Sequence, residues 1–285
     1  MADRTAVVTG AGSGIGRASA LALARAGAAV MVSDVNDDAG AATLAMIDEA
    51  GGEAAYTHCD VSDAEQCGAL MEATVDRFNG LDVLHANAGV SLPGEDGFAP
   101  NISIETWQKV VAINLNGVFY CCHHAIGPMA KRGGGSIIAT ASSMGVVPLG
   151  GMDAYAATKS AVVGLVRSMG PTCGPLGIRV NAICPGYVET ALTEMLHGDP
   201  EAAEAFAAQH AEPGWQSPEE IADTVVFLAS DASRAFTGAA LTCDRGWVNF
   251  KAPDAMRMSL IHICRCRRGV TGVESGGRRL GERGG

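Results

Sequence analysis

Residues 9–16 read Thr9-Gly10-Ala11-Gly12-Ser13-Gly14-Ile15-Gly16, with four glycines in eight positions. The run follows Thr5-Ala6-Val7-Val8, a β-branched segment of the kind that packs as a buried strand. Residues 16–26, GRASALALARA, come next with apolar side chains at helical spacing, and Gly27 ends them. Strand, glycine turn and helix in this order make the first βα unit of a sheet. Glycines without side chains let the backbone approach a pyrophosphate, and the N–H groups that open the helix point at it. The spacing departs from G-x-G-x-x-G, because Ile15 stands where the third glycine belongs. Taken alone, the run also fits a tight strand-to-helix turn with no ligand.

Working outward, the same alternation repeats. Strands are expected at 29–35, 54–61, 81–86, 136–141, 179–184 and 240–243, and helices at 38–50, 64–78, 104–130, around 155–159 and at 218–230. Seven strands separated by helices imply a mostly parallel sheet covered on both faces. Right-handed crossovers then give an α/β, Rossmann-like, doubly wound fold in a single domain over residues 1–250. Ligands of such sheets bind outside the carboxyl ends of the strands.

Bulk properties agree. The 285 residues are 48% hydrophobic and 18% charged, enough apolar content for one large core. No apolar run reaches the roughly 20 residues a membrane span needs, and no signal segment opens the chain, so a cytoplasmic protein is expected. The nine cysteines are scattered without zinc-site spacing, which predicts small buried apolar groups and no metal. A net charge of -11 argues against nucleic acid as a partner. Residues 251–285 differ in kind, with eight Lys/Arg against three Asp/Glu. They read either as a basic tail for an anionic partner or, since Ser259-Leu-Ile-His-Ile263 looks like a translated sequencing adapter, as a read-through artefact.

Two features sharpen the glycine turn. Asp34 closes the second strand about 20 residues later, where a carboxylate accepts hydrogen bonds from an adenosine ribose and repels a 2′-phosphate. Val35 and Asn36 follow it and no basic residue does, which favours NAD over NADP, although Arg17 is placed to attract a phosphate. A solvated turn aspartate is the plainer reading. Further on, Tyr155 and Lys159 are four residues apart, one helical turn, and so lie on one face. A phenol with a pKa near ~10 is a poor base at neutral pH, and a neighbouring ammonium lowers that value. The pair therefore reads as a general acid–base unit for an alcohol proton. Ser142 lies 13 residues earlier at a strand end, and Asn114 sits in the long helix.

These pieces together resemble the short-chain dehydrogenase/reductase family over residues 4 to about 248. The glycine pattern T-G-x-x-x-G-x-G is carried by Thr9, Gly10, Gly14 and Gly16, with Ser13 and Ile15 between them. The adenine contact corresponds to Asp60-Val61, the sheet-steadying N-A-G to Asn87-Ala88-Gly89, and the Y-x-x-x-K to Tyr155 and Lys159. Pro185-Gly186-Tyr187-Val188-Glu189-Thr190 matches P-G-x-[VI]-x-T. The resemblance implies alcohol/ketone interconversion by hydride transfer with NAD(H). It makes Tyr155 the acid/base and Lys159 its activator and a ribose contact. Ser142 then binds the substrate oxygen, Asn114 holds a relay water, and Val188 and Thr190 fix the carboxamide. It also implies a homodimer or homotetramer through the long helix and the Tyr155 helix, where Ala156, Ala157, Ala161 and Gly164 permit close packing. Enoyl reductases and extended members of the superfamily space these motifs differently. Ser13, where NADPH-linked ketoacyl reductases carry a basic residue, counts against that branch, which stays as an alternative beside a non-catalytic cofactor-binding protein.

Residues 191–217 are expected to form a lid. Its Met195, Leu196, Phe206 and Trp215 either line a pocket for an apolar alcohol or ketone or form the packed face of two short helices. Met144, Val147, Leu149 and Met152 are expected to supply another wall, and His197 and His210 to lie on the surface. Asp244-Arg245-Gly246 departs from the family's D-G-G.

Overall fold

The computed structural model describes residues 1–249, so the expectations for residues 251–285 lie outside the described residues. Residues Met1–Val248 form one unit. In chain order its elements are β1 (Thr5–Thr9), α1 (Gly14–Arg25), β2 (Ala29–Asp34), α2 (Asp37–Glu49), β3 (Ala54–His58), α3 (Ala64–Phe78) and β4 (Val83–Ala86). Then come α4 (Ile104–Val111), α5 (Gly117–Lys131), β5 (Gly135–Thr140), α6 (Asp153–Cys173) and β6 (Ile178–Pro185). Last are α7 (Glu194–His197), α8 (Pro200–Ala207), α9 (Pro218–Ala229) and β7 (Ala240–Cys243). The seven strands pair in parallel in the order β3-β2-β1-β4-β5-β6-β7. The doubly wound sheet read from the alternation is therefore present.

Strand residues alternate between two apolar layers, as a two-residue period requires. Val7 and Met31 join a layer with Leu70 of α3, Met129 of α5 and Val162 of α6. Ala6, Val8, Val30 and Val32 point the other way, to Leu23 of α1 and Leu228 of α9. Strand order reverses direction between β1 and β4, so the loops after β1 and β4 diverge there and open a crevice.

Strands β3 and β4 are shorter than expected, ending at His58 and starting at Val83, and two further differences bear on the site. Helix α1 begins at Gly14, two residues earlier than expected, so Ile15 and Gly16 belong to its first turn. The long helix expected over 104–130 is interrupted by a π turn at Ala112–Asn116 that joins α4 to α5. Residue spacing cannot reveal a π turn, because its one extra residue per turn leaves the apolar pattern nearly unchanged. Among the described residues no helix is long and apolar enough to cross a membrane.

Candidate active site

A cleft of about 500 Å³ runs along the carboxyl ends of β1, β2, β4, β5 and β6. Nearly every residue singled out in the sequence faces it. Gly10, Ser13, Gly14 and Ile15 form its floor, Asp34, Asp60 and Val61 one end, and Asn87, Ala88 and Gly89 the middle. Ser142, Tyr155, Lys159, Pro185, Gly186, Val188 and Thr190 complete the other end. Two expected residues stand behind the wall. A Cβ on Gly16 would strike the Gly10 carbonyl, so this glycine exists for close helix–strand packing. Asn114 is fully buried in the π turn.

The glycine turn is built as an anion cradle. Gly10 and Gly14 adopt φ of +62° and +49°, the left-handed region that favours glycine. Ser13 is the N-cap of α1, but its side chain caps nothing and no acidic residue lies in the first turn. The N–H groups there point outward unclaimed by a side chain, which suits a phosphate. Asp34 is held facing the cleft: its carboxylate accepts from Gly12 N at 2.8 Å and from Asn36 N at 2.9 Å. Arg17, the one basic candidate for a phosphate, is turned inward. It donates to Thr43 Oγ1 at 3.0 Å and to the Gly12 carbonyl. The donor-rich floor and the acidic far end fit a dinucleotide.

At the other end Lys159 is only 3% exposed, and its Nζ donates to the Thr140 carbonyl at 2.8 Å. Nζ also lies 5.6 Å from the Tyr155 ring centroid. Burial lowers the Lys159 pKa to about 8. Burial pushes the Tyr155 phenol above its ordinary value, and Ser142 beside it pulls the other way.

Ser142 Oγ also accepts from Met144 N at 3.1 Å, which fixes the serine at the end of β5. Asn114 braces the loop after β4, with Oδ1 accepting from Val90 N at 2.7 Å and Nδ2 donating to Val90 O at 2.9 Å. Asn114 Oδ1 and Lys159 Nζ flank Gly89, where a Cβ would sit 3.2 and 3.3 Å from them. The sequence reading missed Thr140. Its carbonyl receives Lys159, while its hydroxyl lies 2.9 Å from His85 Nε2 and 3.1 Å from Asn87 Oδ1. His85 is buried, and burial lowers its pKa to about 3. It is therefore neutral, and with Thr140 donating to Asn87 Oδ1 its Nε2 is the donor to the threonine. No local motif marks a threonine whose role is to accept from a lysine 19 residues on.

The lid divides between the two readings offered for it. Leu192, Met195 and Leu196 line the cleft, opposite Met144 and Met152. Phe206 and Trp215 instead pack on Tyr187, with ring centroids 4.9 and 5.5 Å away. Leu149, expected in the wall, is 39% exposed. His210, expected on the surface, is fully buried in this aromatic group, 5.4 Å from the Tyr187 ring, with Nδ1 donating to the Ala207 carbonyl at 3.3 Å. Arg245 has φ +47° and a guanidinium 2.6 Å from Glu220 of α9. Its carbonyl accepts from Ala211 and Glu212 N, so it ties the return of the lid to the turn after β7.

Comparison with known proteins bears on this geometry. Residues 10–248 match the family model described as enoyl-(acyl carrier protein) reductase. The cis-4-hydroxycyclohexanecarboxylate dehydrogenase of Sinomonas cyclohexanicum is 41% identical, covering 87% of this chain and 97% of that protein. The 2,5-dichloro-2,5-cyclohexadiene-1,4-diol dehydrogenase of Sphingobium indicum (strain UT26S) is 38% identical, covering 87% and 98%. Among solved structures, levodione reductase superposes with a TM-score of 0.84 at 35% identity, covering 88% of this chain and all of that one.

Proposed function

Because the chain belongs to the short-chain dehydrogenase/reductase family, we propose that it interconverts an apolar ring alcohol and its ketone with NAD(H), Tyr155 serving as general acid/base. The family is one of oxidoreductases that use a nicotinamide cofactor and act on small alcohols. The observation that carries the reading is the meeting of Ser142, Tyr155 and Lys159 in one cleft with the glycine cradle. Oxidised nicotinamide, when bound, supplies the two-electron acceptor for the carbinol hydride and a positive charge.

Tyr155 takes the alcohol proton as the carbinol hydride departs, and returns it in the reverse direction. Ser142, which lines the same end of the cleft as the phenol, holds the substrate oxygen beside it. Lys159 holds the ribose hydroxyls and, as an ammonium at pH 7, favours the phenolate. Asn114, across Gly89 from Lys159, holds the relay water that connects this lysine to solvent. Gly10, Ser13, Gly14 and Ile15 bind the pyrophosphate, with Gly16 letting the helix pack close behind them, while Asp60 and Val61 bound the adenine. Asn87, Ala88, Gly89, Pro185 and Gly186 shape the middle of the groove, and Val188 and Thr190 set the face of hydride transfer. Asp34 supports NAD over NADP, since its carboxylate is fixed at the ribose end and Arg17 is committed elsewhere.

The wall of Met144, Met152, Leu192, Met195 and Leu196 supports an apolar substrate, and the relatives' names share a six-membered ring alcohol, although the first of those rings also carries a carboxylate. We place the enzyme in the cytoplasm, where the seven free thiols among the described residues persist. The exposed apolar residues of α4 and α5 support a homodimer or homotetramer.

The test is reduced-cofactor formation with alicyclic, aromatic, steroid and polyol alcohols, each with NAD and with NADP. NAD-dependent oxidation of alicyclic alcohols is expected, with Tyr155→Phe lowering kcat on the order of 10²–10⁴-fold. Asp34→Ala is expected to erode NAD preference. Turnover with NADP alone would favour the NADPH-linked reductase instead, and indifference to Tyr155→Phe would favour a non-catalytic binding protein.

A further inference from the structure

The helix that carries Tyr155 lacks a cap of its own. Its N-cap residue is Met152, which has no acceptor, and Asp153 in the first turn looks away to accept from Ala99 N at 2.9 Å. The first-turn N–H groups are nonetheless satisfied. Asp96, from the loop between β4 and α4, accepts from Ala154 N at 3.0 Å through Oδ1 and from Tyr155 N at 2.8 Å through Oδ2. This carboxylate is 6% exposed and has come from 59 residues away in sequence. Both of its oxygens are used, one on the amide of the acid/base residue itself.

The same loop is stitched down along its length. Asn114 holds both backbone groups of Val90, Glu95 and Asp96 N both donate to the Leu92 carbonyl, and Asp153 N donates to the Gly97 carbonyl at 3.0 Å. Between these ties the loop presents Val90, Ser91 and Pro93 to the cleft. One carboxylate thus joins a substrate-facing wall to the start of the catalytic helix. Displacement of this joint moves the Tyr155 backbone relative to Ser142, which stands on the separate β5 frame.

We propose that Asp96 is a positioning residue of the active site. It fixes Tyr155 against Ser142 and Lys159 by capping α6 from the opposite wall, and it holds that wall in register with the phenol. The inference rests on the proposed function, since it assigns Asp96 to the reaction of Tyr155. A misplacement of the reacting group by about 1 Å costs on the order of a hundredfold, so the effect is expected in kcat. The cradle for the cofactor, which Asp96 does not touch, is expected to be spared.

The experiment compares wild type with Asp96→Ala and the isosteric Asp96→Asn, which keeps one acceptor and faces an amide N–H with another N–H. Two measurements are made well below the melting temperature. Hydrogen exchange of the cofactor-free proteins is followed on peptides covering residues 152–158 and, as a control, β1. Steady-state kinetics use the best alcohol of the panel and its carbinol-deuterated form. Faster exchange confined to 152–158 is expected in both variants. With it should come a tenfold or greater loss of kcat, smaller for Asn than for Ala, and a larger deuterium isotope effect on kcat. Cofactor KM should stay within twofold. Unchanged exchange overturns the cap, and loosened exchange with kcat within twofold of wild type overturns the positioning role. If Asp96→Ala does not fold, the Asn variant decides on both measures. A wild type that oxidises no alcohol with either cofactor counts against the proposed function, and with it against the role of Asp96 in that reaction. The exchange measurement then still decides the cap.

Discussion

Lys159 enters the site as a buried base, and its protonation has a consequence for stability that can be read without any substrate. Its folded pKa is about 8 against 10.5 for an exposed lysine. Between those values the unfolded chain holds a proton that the folded chain has released. Stability contributed by this group therefore rises with pH through the window from 8 to 10.5, by up to about 3 kcal/mol. Below pH 8 both states are protonated, and the buried charge is a standing cost. Replacing Lys159 with Met removes the titration and leaves the Thr140 carbonyl without its donor, a loss that does not vary with pH. Urea unfolding of the two proteins at pH 7.5 and pH 10 is expected to show the wild type gaining on Lys159→Met by about 1–3 kcal/mol. A difference that stays flat would mean that Lys159 is not desolvated in the way the geometry implies. The same residue shows why a functional site is costly: the ammonium wanted beside Tyr155 is one that solvent would stabilise better.

At the level of elements the lid gives the sharpest case. Arg245 occupies a left-handed position where glycine would be unstrained, at a cost of about 1 kcal/mol. The ion pair with Glu220 is partly exposed and returns a similar or smaller amount. Arg245→Gly is therefore expected to leave the melting temperature within a few degrees. The lid's tie to Arg245 runs through the backbone carbonyl, which a glycine keeps. Alcohol KM and cofactor KM are therefore both expected to stay within twofold, measured by initial rates. A threefold or greater rise in alcohol KM would show that the guanidinium itself governs the pocket. This element-level coupling also marks the limit of what the sequence discloses. Strands, helices and the Tyr155/Lys159 face were legible because each follows from spacing within ten or so residues. The glycine cradle and Asp34 were legible because a βα unit places them at fixed offsets. Asp96 was not, since nothing near residue 96 announces a cap for amides 58 and 59 residues later. Thr140 and the buried His210 were hidden for the same reason: their partners lie on other elements, and only the assembled sheet and lid bring them together. The burial that raises the Tyr155 phenol was hidden too, because spacing reports the lysine and not the solvent lost around the pair.

For the whole molecule the question is what covers the outer face of α4 and α5. Ile104, Trp107 and Phe119 are 72%, 41% and 47% exposed, unusual for large apolar side chains. Ile104 and Trp107 are three apart and share a face. Phe119 is 12 residues beyond Trp107, which in an unbroken α-helix would turn it about 120° away. The π turn between them absorbs one residue and brings that angle down to about 20°, so all three point the same way. Ala157 and Gly164 of α6 are exposed as well, and a Cβ on Gly164 would meet nothing. An apolar helical row beside a helix with small residues is a surface that two copies can bury against each other. The proposed oligomer is therefore expected to sediment as a dimer or tetramer of 29.1 kDa chains. Phe119→Glu combined with Trp107→Glu should shift it to monomer at micromolar concentration, because two carboxylates would be buried unpaired in the interface. Both side chains are exposed and neither lines the cleft, so circular dichroism of the variant should remain that of the folded chain. A wild type that sediments as monomer, or a double variant that keeps its mass, would assign this face to something other than self-association.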